Sequence, residues 1–206
     1  MKPKKRARDL AQTRHDILSA AFDEIYTNGF RASSLDAILE RTDLTKGALF
    51  HQFASKLELG YAVVDEVIVP MTRERWIAPL EAFEDPLKGI VHVVQRNVAD
   101  APQEELDRGC PLANLIHEMS NTDAEFRRRL CHCIEVWIEG VAEHVERGRR
   151  SGHVRRSVKP RVVGEYVVVT LEGIFAVVKG MRDKSVVPTS VSSMQTFLAG
   201  LATESR

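Results

Sequence analysis

Between Thr13 and Asn28 the apolar side chains fall at Ile17, Leu18, Ala21, Phe22 and Ile25, a spacing that winds onto one face of a helix. Gly29 follows, where a left-handed residue closes such a helix. Ser33-Ser34-Leu35-Asp36 reads as a capping box, in which the Ser33 hydroxyl and the Asp36 carboxylate satisfy each other's free amides. It predicts a short helix to about Arg41 with Leu35, Ile38 and Leu39 inward. Thr42-Asp43-Leu44-Thr45 reads as a tight turn with Asp43 in the left-handed region, and Thr45 then caps a third short helix from Lys46 to Phe53. Ser55-Lys56-Leu57-Glu58 repeats the capping pattern and opens a long fourth helix toward Pro70.

Beyond Pro70 the same periodicity predicts helices over roughly 71–83, 86–100, 111–120, 123–149, 160–182 and 188–202. The stretch from Val162 to Val178 is rich in β-branched residues, and propensity alone favours strands there. Its length, the lack of turn signals other than Gly164 and Gly173, and the absence of a partner strand favour a helix. The expected fold is therefore all-α, with about nine helices and no internal repeat. Three short helices and a basic arm form an N-terminal domain over 1–56, and a larger helical domain spans 57–206.

Two short helices joined by a four-residue turn, behind a packing helix, form a helix-turn-helix whose last helix can enter a major groove. In Lys46-Gly47-Ala48-Leu49-Phe50-His51-Gln52-Phe53, Leu49 and Phe53 share one face and Lys46 and Phe50 another, so one side anchors while the other meets DNA. Charge supports this placement. Lys plus Arg and Asp plus Glu both total 29, but residues 1–56 hold ten basic against seven acidic side chains. Lys2, Lys4, Lys5, Arg6 and Arg8 either add counterion-release affinity and minor-groove contacts or merely solvate a tail.

The 206 residues are 44% hydrophobic, enough for a packed core, and no apolar run approaches the roughly 20 residues of a membrane span. No apolar stretch follows Met1, so neither a secretory signal nor an anchor is expected and a cytoplasmic location is. Cys110, Cys131 and Cys133 are odd in number and are expected as thiols.

Residues 13–60 closely resemble the TetR family of repressors, whose pattern runs from an isoleucine through a short turn into Lys-Gly-x-Leu-Tyr-x-x-Phe and then Ser-Lys-x-x-Leu. Here the counterparts are Ile38, Leu44-Thr45-Lys46-Gly47-Ala48-Leu49-Phe50-His51-Gln52-Phe53 and Ser55-Lys56-Leu57-Glu58-Leu59, with the Asn28-Gly29-Phe30 corner before them. Over the rest of the chain the likeness is architectural. The resemblance implies that Ser34, Thr45, Lys46, Phe50, His51 and Lys56 meet phosphates or base edges, with Gly47 at the closest backbone approach. Phe50 stands where a tyrosine is usual, Ala48 offers only a methyl to thymine, and Gln52 replaces a common aromatic and suits adenine or a phosphate. The operator sequence therefore does not carry over.

One recognition helix covers few base pairs, so a two-fold homodimer on a double-stranded operator is expected. The resemblance places its interface in the last two helices, where Val167, Val168, Leu171, Ile174, Phe175, Val178 and Met181 with Met194, Phe197, Leu198 and Leu201 would form a four-helix bundle. The alternative is that these side chains fill the subunit core.

Cys110 before Pro111 is expected at a helix N-cap, where free amides and the helix dipole favour thiolate, as in an electrophile or redox sensor. The Gly-Cys pair also resembles a subset of the family that includes electrophile-responsive repressors. Against this stands a small residue at a crowded helix start. Cys131 and Cys133 lie on different sides of a helix and read as packing residues, and neither Cys131-His132-Cys133 nor His117-Glu118 has zinc spacing. No metal or cofactor is expected. Trp76, Trp137 and Phe175, with Cys110, His92, Gln95, Asn114, His117 and Glu172 as polar candidates, are expected to line a pocket for an unidentified small molecule. The favoured reading is a repressor released by such an effector. The alternatives are a constitutive DNA-binding protein and an enzyme, for which no catalytic grouping can be assembled.

Overall fold

Helix α1 (Leu10–Asn28) buries Ile17, Leu18, Ala21 and Ile25 of the stripe its spacing predicts, leaves Phe22 half-buried, and ends at Gly29 with φ +85°. The computed structural model describes residues 10–203; the five basic residues of the arm lie outside the described residues. Helix α2 (Leu35–Glu40) and helix α3 (Lys46–Gln52) pack across α1. The buried Glu24 carboxylate ties α1 to the end of α2 by accepting from Asn28 at 2.8 Å and from Arg41 at 3.0 and 2.8 Å. The Asn28 and Arg41 bonds hold that carboxyl below its ordinary range.

Local details differ from expectation in two places. Ser34, not Ser33, caps α2, its hydroxyl accepting from the Ala37 amide at 3.0 Å, while Ser33 is buried and donates to the Phe30 carbonyl at 2.7 Å. Among the described non-glycine residues only Arg182 has positive φ, so Asp43 turns without the left-handed region. The Thr42 hydroxyl closes that turn instead, donating to the Leu39 carbonyl and accepting from the Leu44 amide.

Helix α4 covers 56–82 as one ribbon, opened by Ser55 as predicted and interrupted by π-turns at Val64–Ile68 and Arg73–Ile77. Pro70 does not end it. The π-turn before Pro70 bonds Val69 N–H to the Val64 carbonyl, and the widened turn leaves room for a ring that would clash in a regular helix.

Helix α5 covers 86–99, α6 is Gln103–Arg108, α7 is Pro111–Met119, α8 is Ala124–Ser151, α9 is Pro160–Met181 and α10 is Val187–Ala199. The six-residue α6 was not expected. The β-branched stretch is helical, and among the described residues the one strand-like pairing is an isolated bridge between Val154 and Ala202. Burial overrides propensity there. Gly164 lets α9 approach α8 so closely that a Cβ would lie 2.4 Å from the Ile138 carbonyl oxygen. No described helix is long and apolar enough to cross a membrane.

The residues expected at the dimer interface divide. Val167, Leu171, Ile174, Val178 and Met194 are buried in the subunit's own core, because α8 and its neighbours cover that face of α9. Phe197 is exposed and Leu201 half-buried. The outward side of α9 carries Met181, which was expected at the interface, and three apolar residues that were not: Val162, Val169 and Val177.

Candidate nucleic-acid interface and effector groove

Helix α3 has one buried side chain, Leu49, backed by Phe53 at its C-cap. Arg14 lies 4.4 Å over the Phe53 ring and donates to Glu66 at 2.9 Å, which fixes this anchored side between α1 and α4. The Thr45 hydroxyl accepts from the Ala48 amide at 3.2 Å, the predicted cap. On the opposite side Lys46, Gly47, Phe50 and His51 are exposed. Phe50 is 45% exposed, an aromatic ring that its own fold leaves uncovered.

Gly47 is equally telling. A Cβ there would meet only Thr45 Oγ1, at 3.9 Å, so no contact within the chain requires glycine. Glycine inside a helix costs about 1 kcal/mol relative to alanine. Lys46 pairs with Asp36 at 3.3 Å, but both are exposed and such a pair exchanges readily for a phosphate. Ser34 is exposed, Ala48 and Gln52 half-buried, the last donating weakly to the Leu10 carbonyl at 3.4 Å. Lys56 differs from its family expectation: its ammonium is turned inward, donating to the carbonyls of Arg31 at 3.2 Å and Ser33 at 2.5 Å.

The residues expected in a single effector pocket are divided between two neighbouring spaces. An inner cavity of about 130 Å³ is walled by Phe22, Met71, Trp76, Trp137 and Phe175. Trp76 lies 5.1 Å from Trp137 and edge-on to Phe175 at 6.2 Å. An outer groove of about 740 Å³ opens between the N-terminal head and the body, lined by Asn28, Asn114, His117, Glu118 and Lys179. Tyr26, Gly109, Cys110 and Phe175 border both. Thus Cys110, Trp76, Trp137 and Phe175 do converge, while Asn114 and His117 face the outer space. His92 stacks on Phe83 and Gln95 bonds Asp100, and neither lines these walls.

Cys110 is the N-cap of α7 with Pro111 in the first turn, as predicted, yet its chemistry is reversed. The residue keeps part of its surface, but the sulfur sits among neighbours. Burial pushes the thiol well above its ordinary range, and the Glu172 carboxylate, to which it donates at 3.1 Å, adds to the shift. The amides of Ala113 and Leu112 pull the other way and lose. The balance favours the thiol over the thiolate, opposite in direction to the expectation from the helix end. Cys131 is exposed and Cys133 buried against Thr72 at 3.6 Å, on different sides of α8 as expected.

Tyr26 and Lys179 escaped the sequence reading, and Glu118 was weighed there only as a metal ligand. A usable signal was the four-residue recurrence of Cys110, Asn114 and Glu118, which places them on one face of α7.

A helix-turn-helix head on an all-helical body is the architecture of a DNA-binding transcriptional regulator, and the family matches place the chain in that class. The family model described as "Bacterial regulatory proteins, tetR family" matches residues 17–63, and "Tetracyclin repressor-like, C-terminal domain" matches residues 86–194. The chain belongs to the TetR family. It is 25% identical to an uncharacterized HTH-type transcriptional regulator of Lactococcus lactis, over 91% of this chain and 94% of that one. The transcriptional repressor DhaR of a Mycobacterium species is 23% identical over 76% and 77%. A TetR-family regulator from Cytophaga hutchinsonii shares the fold with a TM-score of 0.83 at 19% identity, covering 98% of this chain and all of that one.

Proposed function

We propose that this regulator is a cytoplasmic repressor that binds a palindromic operator as a homodimer and leaves it when a small molecule occupies the head–body groove. The carrying observation is the outward face of α3, where an uncovered Phe50 and a Gly47 without internal purpose flank Lys46 and His51. Thr45, Ser34, Ala48 and Gln52 border this face, whereas Lys56 acts behind it.

Dimerisation is supported by the apolar outward side of α9. Val162, Val169, Val177 and Met181 are exposed there, and Gly173 and Gly180 face open space with nothing within 4 Å of a Cβ. Phe197 of α10, stacked on Tyr166 at 4.0 Å, extends the patch. Repression is inferred from the role of DhaR, a transcriptional repressor. The 740 Å³ groove falls within the size of ordinary ligand sites, roughly 300–1,000 Å³. The Cys110 thiol, donating to Glu172 and shifted away from thiolate by burial, favours a reversibly bound molecule over an electrophile. The same thiol and the 130 Å³ inner cavity favour constitutive binding, but the groove weighs against it.

Titration of a selected operator by fluorescence anisotropy tests this. Affinity falls by roughly 10³-fold between about 50 and about 200 mM salt, and falls again with at least one member of a panel of small polar and aromatic compounds. Salt-dependent binding that no compound changes would leave the constitutive reading standing.

A further inference from the structure

The turn between α6 and α7 and the far end of α7 are both tied to the C-terminal end of α1 and the corner that follows it. At its start the Tyr26 hydroxyl donates to the Gly109 carbonyl at 2.6 Å, and Arg108 reaches the Thr27 hydroxyl at 3.0 Å. At its far end the two oxygens of Glu118 accept consecutive backbone amides of the α1–α2 corner, Phe30 at 2.8 Å and Arg31 at 2.7 Å. Those amides follow the end of α1 and find their acceptor 88 and 87 residues away along the chain.

The corner is built around this contact. Gly29 takes φ +85°, and a Cβ there would lie 3.2 Å from Glu118 Oε2. From the opposite side Lys56 holds the Arg31 and Ser33 carbonyls and sits 4.8 Å over the Phe30 ring. Phe30 packs edge-on to Phe126 of α8 at 4.8 Å, and Gly60 leaves both rings the space a Cβ would fill. Helices α2 and α3 follow directly, so the corner sets how the reading head sits on the body.

We propose that Glu118 is a positioning residue for DNA reading: its carboxylate, with Lys56 as counterpart, fixes the angle of the head, and the groove and the clamp share this one side chain. The inference rests on the DNA-reading function proposed above. Charge-assisted bonds to two adjacent amides are strong and directional, and they hold the corner without touching DNA. A two-headed reader is sensitive to that angle, because a shift of one base pair between half-sites rotates the second by about a tenth of a turn.

The test uses the full chain, its selected palindrome, and duplexes whose half-sites are moved by one or two base pairs. Glu118→Gln retains helicity and folding, weakens binding at the optimal spacing by roughly tenfold, and loses discrimination against the altered spacings. Amide hydrogen exchange at Phe30 and Arg31 accelerates in the same variant without DNA. Lys56→Met gives the same loss of spacing preference, less than additively with Glu118→Gln. Should these variants fail to fold, the wild type still decides: rapid exchange at Phe30 and Arg31 would overturn the clamp. Unchanged spacing preference and unchanged exchange in Glu118→Gln would overturn this inference alone. A wild-type chain that selects no duplex would overturn the DNA-reading function and this inference with it.

Discussion

Helix α3 buries one residue of seven, whereas helix α9 buries eight of twenty-two and still leaves Val162, Val169, Val177 and Met181 exposed. The first cannot be stable by burial; it exists because Thr45 caps it and Leu49 pins it, and Lys46, Gly47, Phe50 and His51 stay exposed to serve something outside the chain. The second overcomes a strand-like composition because α8 and its neighbours bury one face. What remains uncovered on each therefore has a different meaning. On α3 it is mixed, with a cation, a glycine and an aromatic ring; on α9 it is an apolar stripe interrupted by glycines, suited to a second copy.

Substitutions separate the two helices. The largest stability effect is expected from Leu171→Ala, fully buried in α9, which costs about 4 kcal/mol in denaturant unfolding of the whole chain. Leu49→Ala follows at about 3 kcal/mol, with the loss appearing first in exchange of head amides and body amides still protected. Val169→Glu combined with Val177→Glu halves the mass seen by light scattering while subunit helicity persists, since both side chains are exposed within the subunit. An unchanged mass would move the interface elsewhere. The smallest effect is the most discriminating. Gly47→Ala raises thermal stability by about 0.5–1 kcal/mol yet weakens operator binding, a split that no packing role for Gly47 would give.

The features legible in the sequence were local ones. Thr45 and Ser55 announce their caps within three residues, and the stripe of α1 repeats every turn. Ser33 and Ser34 are adjacent candidates for one cap, and only the tertiary bond from Ser33 to Phe30 decides between them. Helix α9 is apolar on most sides, so periodicity alone did not separate its core face from its outward stripe, and most of the residues expected at an interface lie in the subunit core. The Cys110 thiol was judged from its helix end, but Glu172 lies 62 residues away and burial is a property of the whole fold. The same non-locality hid Glu118, whose partners precede it by more than eighty residues.

Selection of bound duplexes from a random pool by the full-length protein addresses the reading face most directly. The expected product is a palindrome whose half-sites lie about one helical turn or more apart, with enrichment lost in Lys46→Ala and Phe50→Ala variants that fold normally. A pool that shows no enriched sequence, or a palindrome retained unchanged by both variants, would contradict the assignment of α3 as the element that reads DNA.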